Sequence, residues 1–287
     1  MPTATRVIRH ESETGCWEVL LRKPNPRLQG EVLVLEDYAE RVAGPVRQRH
    51  LPPVFIPLIF NFGPRYRLLD PLDPAFSTEY GSFLAGLSES GAVTESPGTA
   101  RCVQVNLTPL GARRLFGMPM HELAERVVPL VDLLGREAAR LEERLAEAPD
   151  AGARTSLVES FLVARLADAP RGQPAVAYAW SRLVQSGGRL QIGALAAEVG
   201  CSRKHLAQQF RDQVGLAPKA AARLVRFNEA LRLMRRGLSG AEVAVRCGYS
   251  DQAHFVKEFR SFSSSTPTAL ARAEEVRFLQ DFGAVAA

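Results

Sequence analysis

The chain has 287 residues, 46% hydrophobic and 23% charged, with a net charge of +5. That length suffices for two domains with cores of their own, and the composition excludes a disordered or fibrous chain. No apolar run approaches the roughly 20 residues of a membrane-spanning helix, and residues 1–14 mix Arg, His and Glu without the apolar core of a secretion signal. The expectation is a cytoplasmic protein with no membrane partner.

The first hundred residues read as strands. Glu31–Leu35, Val54–Phe60 and Tyr66–Leu69 are short apolar runs bounded by Gly, Pro, Asn or Asp. Pro57 inside the second run predicts an edge strand or a bulge. Arg101–Leu107 alternates, with Val103, Val105 and Leu107 on one face and Gln104 and Asn106 on the other. Such strands predict an antiparallel sandwich or a small barrel.

The period becomes helical after Thr108, which can cap a helix beginning at Pro109 and ending at Gly117. Leu130, Leu133, Leu134, Ala138, Leu141 and Leu145 form one amphipathic stripe, and Leu157, Val158, Phe161, Leu162 and Leu166 another. These helices pack on their own domain or form a subunit interface, and the pattern leaves both open. Ala169–Pro174, with two prolines and a glycine, reads as a linker (169–174) between domains at 1–168 and 175–287. From Ala175 onward there are 16 Lys or Arg against 9 Asp or Glu; the rest holds 20 against 22. That imbalance points the back half at a polyanion. The four cysteines, Cys16, Cys102, Cys201 and Cys247, form no CxxC pair and read as small buried apolar residues.

The back half contains a repeat. Ala196-Ala-Glu-Val-Gly200-Cys-Ser202 is matched 48 residues later by Ala244-Val-Arg-Cys-Gly248-Tyr-Ser250. In each copy an alanine allows two helices to cross closely, a glycine takes the positive-φ position that ends the first helix, and a serine caps the second. Leu206 and Phe210 anchor the second helix of the first copy, and Phe255 and Phe259 that of the second, which has one extra residue between serine and anchor. This is the pattern of two helix-turn-helix units. The faces left outside carry Arg203, Lys204, Ala207, Gln208 and Arg211 in one copy, and Gln252, Ala253, Val256, Lys257 and Arg260 in the other. Arg and Gln can read base edges, and Lys and Arg meet phosphates; a solvated helix face is the bland alternative. With the capping Ser202 and Ser250, these are the candidate DNA-binding residues. His205 and His254 read as structural contacts at helix starts, Cys201 and Cys247 as packing residues before redox sensors, and Tyr178 and Trp180 as core.

The stretch from about Gln191 to Leu270 resembles the DNA-binding domain of AraC/XylS-type transcription regulators. The most specific part is Gly248-Tyr-Ser-Asp-Gln-Ala-His-Phe255 with Phe259 and Thr266-Pro267, and Arg226–Met234 resembles the helix that links the two units. The resemblance implies seven helices, with two recognition helices entering neighbouring major-groove segments roughly 34 Å apart. Two departures stand out: Ser264-Ser-Thr-Pro267 has serine where glycine is usual, and Ala253 stands where serine is frequent.

The strands followed by Thr108-Pro-Leu-Gly-Ala-Arg-Arg-Leu-Phe-Gly117 resemble, over about residues 15–168, the cupin-like sensor part of one branch of that family. The fold expected is therefore α+β in two domains: a β-rich cupin-like barrel with flanking helices, then an all-α domain. A cupin enzyme needs several histidines around a metal. This half has His10, His50 and His121 with no His-x-His pair, so no catalytic residue, metal or cofactor is assigned. Tyr38, Phe55, Phe60, Phe62 and Tyr66 are candidate effector-pocket residues, or the filling of a closed core. The function implied is a sequence-specific regulator acting on double-stranded promoter or operator DNA and modulated by a small-molecule effector, with a second copy and RNA polymerase as further partners. The alternatives are a metal-independent cupin-type enzyme with an accessory DNA module, and a protein-binding adaptor using the helical middle.

Overall fold

The computed structural model describes residues 5–69 and 77–272. Residues 273–287 of the expected C-terminal domain lie outside that range. The strands are β1 (Thr5–Ser12), β2 (Gly15–Arg22), β3 (Val32–Val42), β4 (Val46–His50), β5 (Ile56–Asn61), β6 (Tyr66–Leu69), β7 (Ser77–Tyr80), β8 (Phe83–Ala85), β9 (Ala92–Ser96), β10 (Thr99–Leu107) and β11 (Val127–Pro129). The front-half helices are α1 (Pro109–Phe116), α2 (Leu130–Leu134), α3 (Arg136–Glu147) and α4 (Ala151–Leu166).

The strands do not close into the expected barrel. They form two antiparallel sheets, one of seven strands in the order β1-β2-β3-β10-β5-β8-β11 and one of four in the order β4-β9-β6-β7. A barrel needs its two edges to pair. One edge here is β1, a mostly exposed polar strand laddered to β2, and the other ends in β8 and β11, which are three residues each. Pro57 lies on β5, in the middle of the large sheet and not at its edge. However, β8 pairs with β5 at Leu58 and Ile59, so the missing N–H of Pro57 removes no bond to that neighbour.

Both faces of β10 are buried. Val103, Val105 and Leu107 meet the helical layer, where α1 and α4 pack, while Cys102, Gln104 and Asn106 point between the sheets. The polar half of the alternation thus faces an interior. Arg154 of α4 clamps the buried Asp37 of β3 through two hydrogen bonds of 2.6 and 2.9 Å, and Arg22 reaches Glu159 at 2.9 Å. These pairs seat α4 on the outer face of the large sheet. Thr108 accepts from the Gly111 N–H and Gly117 ends α1 in a left-handed conformation, as the sequence predicts. The stripe from Leu130 to Leu145 is divided into α2 and α3 at Gly135, where φ is +57°.

The back half contains α5 (Pro174–Gln185), α6 (Ile192–Glu198), α7 (Arg203–Gln213), α8 (Pro218–Arg235), α9 (Gly240–Cys247), α10 (Gln252–Ser263) and α11 (Pro267–Arg272). Among the described residues these make seven helices, the number implied by the resemblance. The connecting stretch is pinned: Arg114 Nη2 donates to the Leu166 and Ala169 carbonyls (3.0 and 3.2 Å), and the Gln173 N–H donates to Gln213 Oε1 at 2.8 Å. One buried apolar cluster runs from Leu28 to Leu270 through both halves. Cys102 and Cys247 are buried as expected, whereas Cys16 is exposed on β2, where the pattern places it near the open edge of the sheet. Trp180 is buried, but Tyr178 is 48% exposed and turns its hydroxyl to Glu198 (3.2 Å).

Candidate nucleic-acid interface

Each unit is built as its sequence requires. Ala196 and Ala244 are buried at the crossings, and Gly200 and Gly248 adopt φ of +68° and +73°. No side chain but glycine takes that conformation without strain. In the first unit Ser202 caps α7, accepting from the His205 N–H at 3.1 Å. In the second the cap is Asp251 and not Ser250: Asp251 Oδ1 accepts from the His254 N–H at 2.7 Å. The extra residue after Ser250 moves the cap one place along, so that Asp251 stands as far before Phe255 as Ser202 stands before Leu206. Ser250 instead bonds Asp251 and His254, and the His254 ring meets Tyr249 edge-on at 5.4 Å, the structural contact expected of it. Burial pushes the Cys247 thiol up to about 11, away from thiolate reactivity.

The anchors Leu206, Phe210, Phe255 and Phe259 are fully buried, which turns the candidate residues outward. Arg203, Lys204, Gln208 and Arg211 are exposed on α7 with Ala207 half-buried among them; Gln252, Ala253, Lys257 and Arg260 are exposed on α10 with Val256 half-buried. The five residues of the second set bound a single open depression. None of the five cations Arg203, Lys204, Arg211, Lys257 and Arg260 has an ion-pair partner among the described residues. Elsewhere in the helical half, Arg182, Arg223 and Arg232 are neutralised by glutamates, while Lys219, Arg236 and Arg246 also lack an ion-pair partner among the described residues. Unpaired cations flanking small residues and amides are what a helix needs to approach a groove.

Both units are held from behind by the front half. Helix α7 packs on the 3-10 turn Met120–Glu122, and Arg113 approaches Asp212 at 3.7 Å. Arg223 of α8 pairs with Glu89 of the front half at 2.7 Å and with Glu258 of α10 at 3.2 Å, and its guanidinium lies over the Phe262 ring at 5.2 Å. Asn228 Nδ2 donates to the Pro52 carbonyl at 3.0 Å.

The five candidate pocket residues are not brought together. Tyr38 and Tyr66 line a small space of about 40 Å³ between the sheets, and Phe55 lines an adjoining cavity of about 330 Å³ that shares His50, Ile59, Phe83, Thr94 and Gln104 with it. Phe60 points the other way, edge-on to Phe161 of α4 at 6.0 Å. Phe62 lies beneath the guanidinium groups of Arg101 and Arg154 (5.1 and 5.4 Å). The residues missed by the sequence reading are the polar ones that line the larger cavity, His50, Thr94 and Gln104. The signal was the Gln104/Asn106 alternation, which resembles an ordinary solvent face. Among the described residues there is no group of three or more His, Cys, Asp or Glu that could hold a metal, and no helix is long and apolar enough to cross a membrane.

Residues 195–273 match a family model described as a helix-turn-helix domain, and residues 22–129 match a domain of unknown function, DUF6597. Among curated proteins, the chain is 33% identical over 63 residues to the uncharacterized HTH-type transcriptional regulator YbfI of Bacillus subtilis (strain 168), covering 22% of this chain and 23% of that protein. It is 36% identical over 80 residues to the HTH-type transcriptional regulator GlxA of Rhizobium meliloti (strain 1021), covering 28% and 25%. The match therefore spans about a quarter of the length of each relative. Among solved structures, ToxT from Vibrio cholerae O395 aligns over 83% of this chain and 96% of its own, with a TM-score of 0.44 and 12% identity. An AraC-type DNA-binding domain protein from Chromobacterium violaceum aligns over 37% and 95%, with a TM-score of 0.33 and 27% identity. Over residues 195–273 the chain thus matches a helix-turn-helix domain, and within the C-terminal part it is similar to HTH-type transcriptional regulators.

Proposed function

We propose that this protein is a sequence-specific DNA-binding transcription regulator that lays α7 and α10 in successive major-groove segments. The observation that carries the reading is the pair of capped helices, each with an outward face of amides, small residues and unpaired cations. Gln208 and Gln252 are the base readers in this reading, Ala207, Ala253 and Val256 allow close approach or meet thymine methyls, and Arg203, Lys204, Arg211, Lys257 and Arg260 hold phosphates or guanine edges. Ser202, whose hydroxyl only accepts within the protein, supplies a hydroxyl donor to the DNA backbone, and Ser250 does so by exchanging its bond to Asp251. The test is selection of binding sites from random duplex DNA with the full-length protein. Enrichment of a bipartite site with half-sites about one helical turn apart is expected; no enriched sequence would remove the reading.

The front half acts in this reading as a sensor whose small-molecule effector shifts DNA affinity. Support comes from the cavity of about 330 Å³, a size that holds a small ligand. Its wall includes Pro52 and Ser88, and Pro52 itself and Glu89, next to Ser88, touch α8. A coupling of about 1–3 kcal/mol is typical of such linkage. A metabolite screen by thermal shift, followed by titration of hits into operator binding, tests it. If no hit moves operator affinity, and disrupting α3 abolishes dimers and paired-site binding, the front half has an assembly role instead.

A further inference from the structure

The larger cavity has a definite chemical character. Leu51, Pro57, Ile59, Leu68, Phe83 and Val127 give it apolar walls. Its charged lining residues, Glu125 and Arg126, are both exposed and so stand at the rim. Glu125 is already engaged, accepting from the Glu89 N–H at 2.8 Å, and Arg126 Nη1 donates to the Glu122 carbonyl at 3.1 Å. The inner polar groups are neutral. Burial lowers the His50 imidazole to about 4, so it is uncharged near pH 7, and its Nε2 is 2.7 Å from Thr94 Oγ1.

Ser88 and Ser90 bond each other and Ser88 bonds Glu125 at the rim; Gln104 supplies the remaining polar side chain, and its orientation is set from behind. Glu36 Oε1 accepts from Asn106 Nδ2 at 2.7 Å, which leaves Asn106 Oδ1 to accept from Gln104 Nε2 at 2.8 Å. The Gln104 carbonyl Oε1 therefore remains, without a partner among the described residues, on a side chain that is 4% exposed and lines the cavity. Burial pushes the Glu36 carboxyl up to about 8, so near pH 7 it is neutral, with its proton on Oε2, the oxygen that bonds nothing, and Oε1 stays the acceptor that fixes Asn106. An oriented, buried acceptor in an apolar chamber favours a ligand that donates one hydrogen bond and penalises one that arrives charged or without a donor.

We infer that the cavity takes an uncharged, largely apolar molecule carrying a hydroxyl or N–H donor, which bonds Gln104 Oε1. This deepens the effector reading above by giving the ligand its chemical class. The experiment titrates the full-length protein at pH 7 with three probes of similar shape: 2-naphthol, naphthalene and 2-naphthoate. We expect 2-naphthol to bind about 3- to 10-fold more tightly than naphthalene, and 2-naphthoate to bind weakest. Gln104→Met should erase the preference for 2-naphthol while leaving naphthalene binding in place. Ala92→Phe, which narrows the cavity and keeps Gln104, should weaken all three and guards against a misfolded Gln104 variant. Equal binding of 2-naphthol and naphthalene, tightest binding of 2-naphthoate, or unchanged binding in Ala92→Phe would overturn the inference. If the expected pattern appears but operator affinity is unmoved by 2-naphthol, the site stands and the effector reading fails.

Discussion

The two helix-turn-helix units share a plan and differ in what supports them. The first rests on its neighbours: α7 packs on the Met120–Glu122 turn, and Gln213 at its end holds the Gln173 N–H. The second is supported by its own aromatic rings. Phe255 and Phe259 lie 5.6 Å apart, Phe227 of α8 stacks on Phe262 at 4.8 Å and meets Phe259 at 5.2 Å, and Tyr249 meets Phe255 at 5.2 Å. Its link to the front half is the polar bridge from Glu89 through Arg223 to Glu258. One motif is thus stabilised by tertiary packing in one place and by a local aromatic cluster in the other. A packed unit moves only if an apolar interface opens, whereas a bridged unit moves when an ion pair does.

The largest effect should come from the aromatic cluster. Phe259→Ala leaves a cavity between the Phe227 and Phe255 rings and should cost about 3–5 kcal/mol, read by denaturant unfolding. Hydrogen exchange should quicken in α9 and α10 before α7; equal quickening in both units would break the comparison. Next come the proposed DNA contacts. Gln208→Ala or Gln252→Ala should cost about 1–3 kcal/mol on the selected site and relax preference at one half-site. Arg211→Ala and Arg260→Ala should weaken all sequences about equally, and selection with each variant separates the two roles.

The bridge predicts a smaller, directional effect. Arg223→Gln should lower stability by about 1 kcal/mol, a modest figure because Arg223 and Glu89 are partly exposed. It should reduce protection of the half-site under α10 several-fold more than that under α7, and equal loss at both would deny the bridge a positioning role. The smallest effects form a mirrored pair at the helix ends. Gly215 has φ +100°, and a Cβ there would lie 3.1 Å from the Met120 carbonyl, so Gly215→Ala should destabilise by about 1 kcal/mol or more. Ser264 caps α10 at φ +52°, so Ser264→Gly should stabilise by about 1 kcal/mol. Thermal unfolding measures both.

The helical half was legible because its signals are local. Glycine at a left-handed turn, a capping side chain three residues before its N–H, and anchors spaced by four all lie within one stretch of chain. The displaced cap at Asp251 was visible as the extra residue after Ser250. The front half was less legible because closure of a sheet depends on which distant edges pair, and the polar β1, with its short counterparts at the other edge, left it open. The cavity was harder still. Gln104 and Asn106 look like an exposed strand face until a second sheet covers them, and Phe60 and Phe62 look like pocket aromatics until α4 covers their side of the sheet.

The central claim, that both recognition helices lie in DNA together, is tested most directly by footprinting the full-length protein on its selected site over a range of salt concentrations. The account predicts two protected major-groove segments on one face of the duplex, roughly 34 Å apart. If about six phosphates are neutralised, log affinity should fall against log salt with a slope near −5. A single protected segment, or an affinity indifferent to salt, would contradict it.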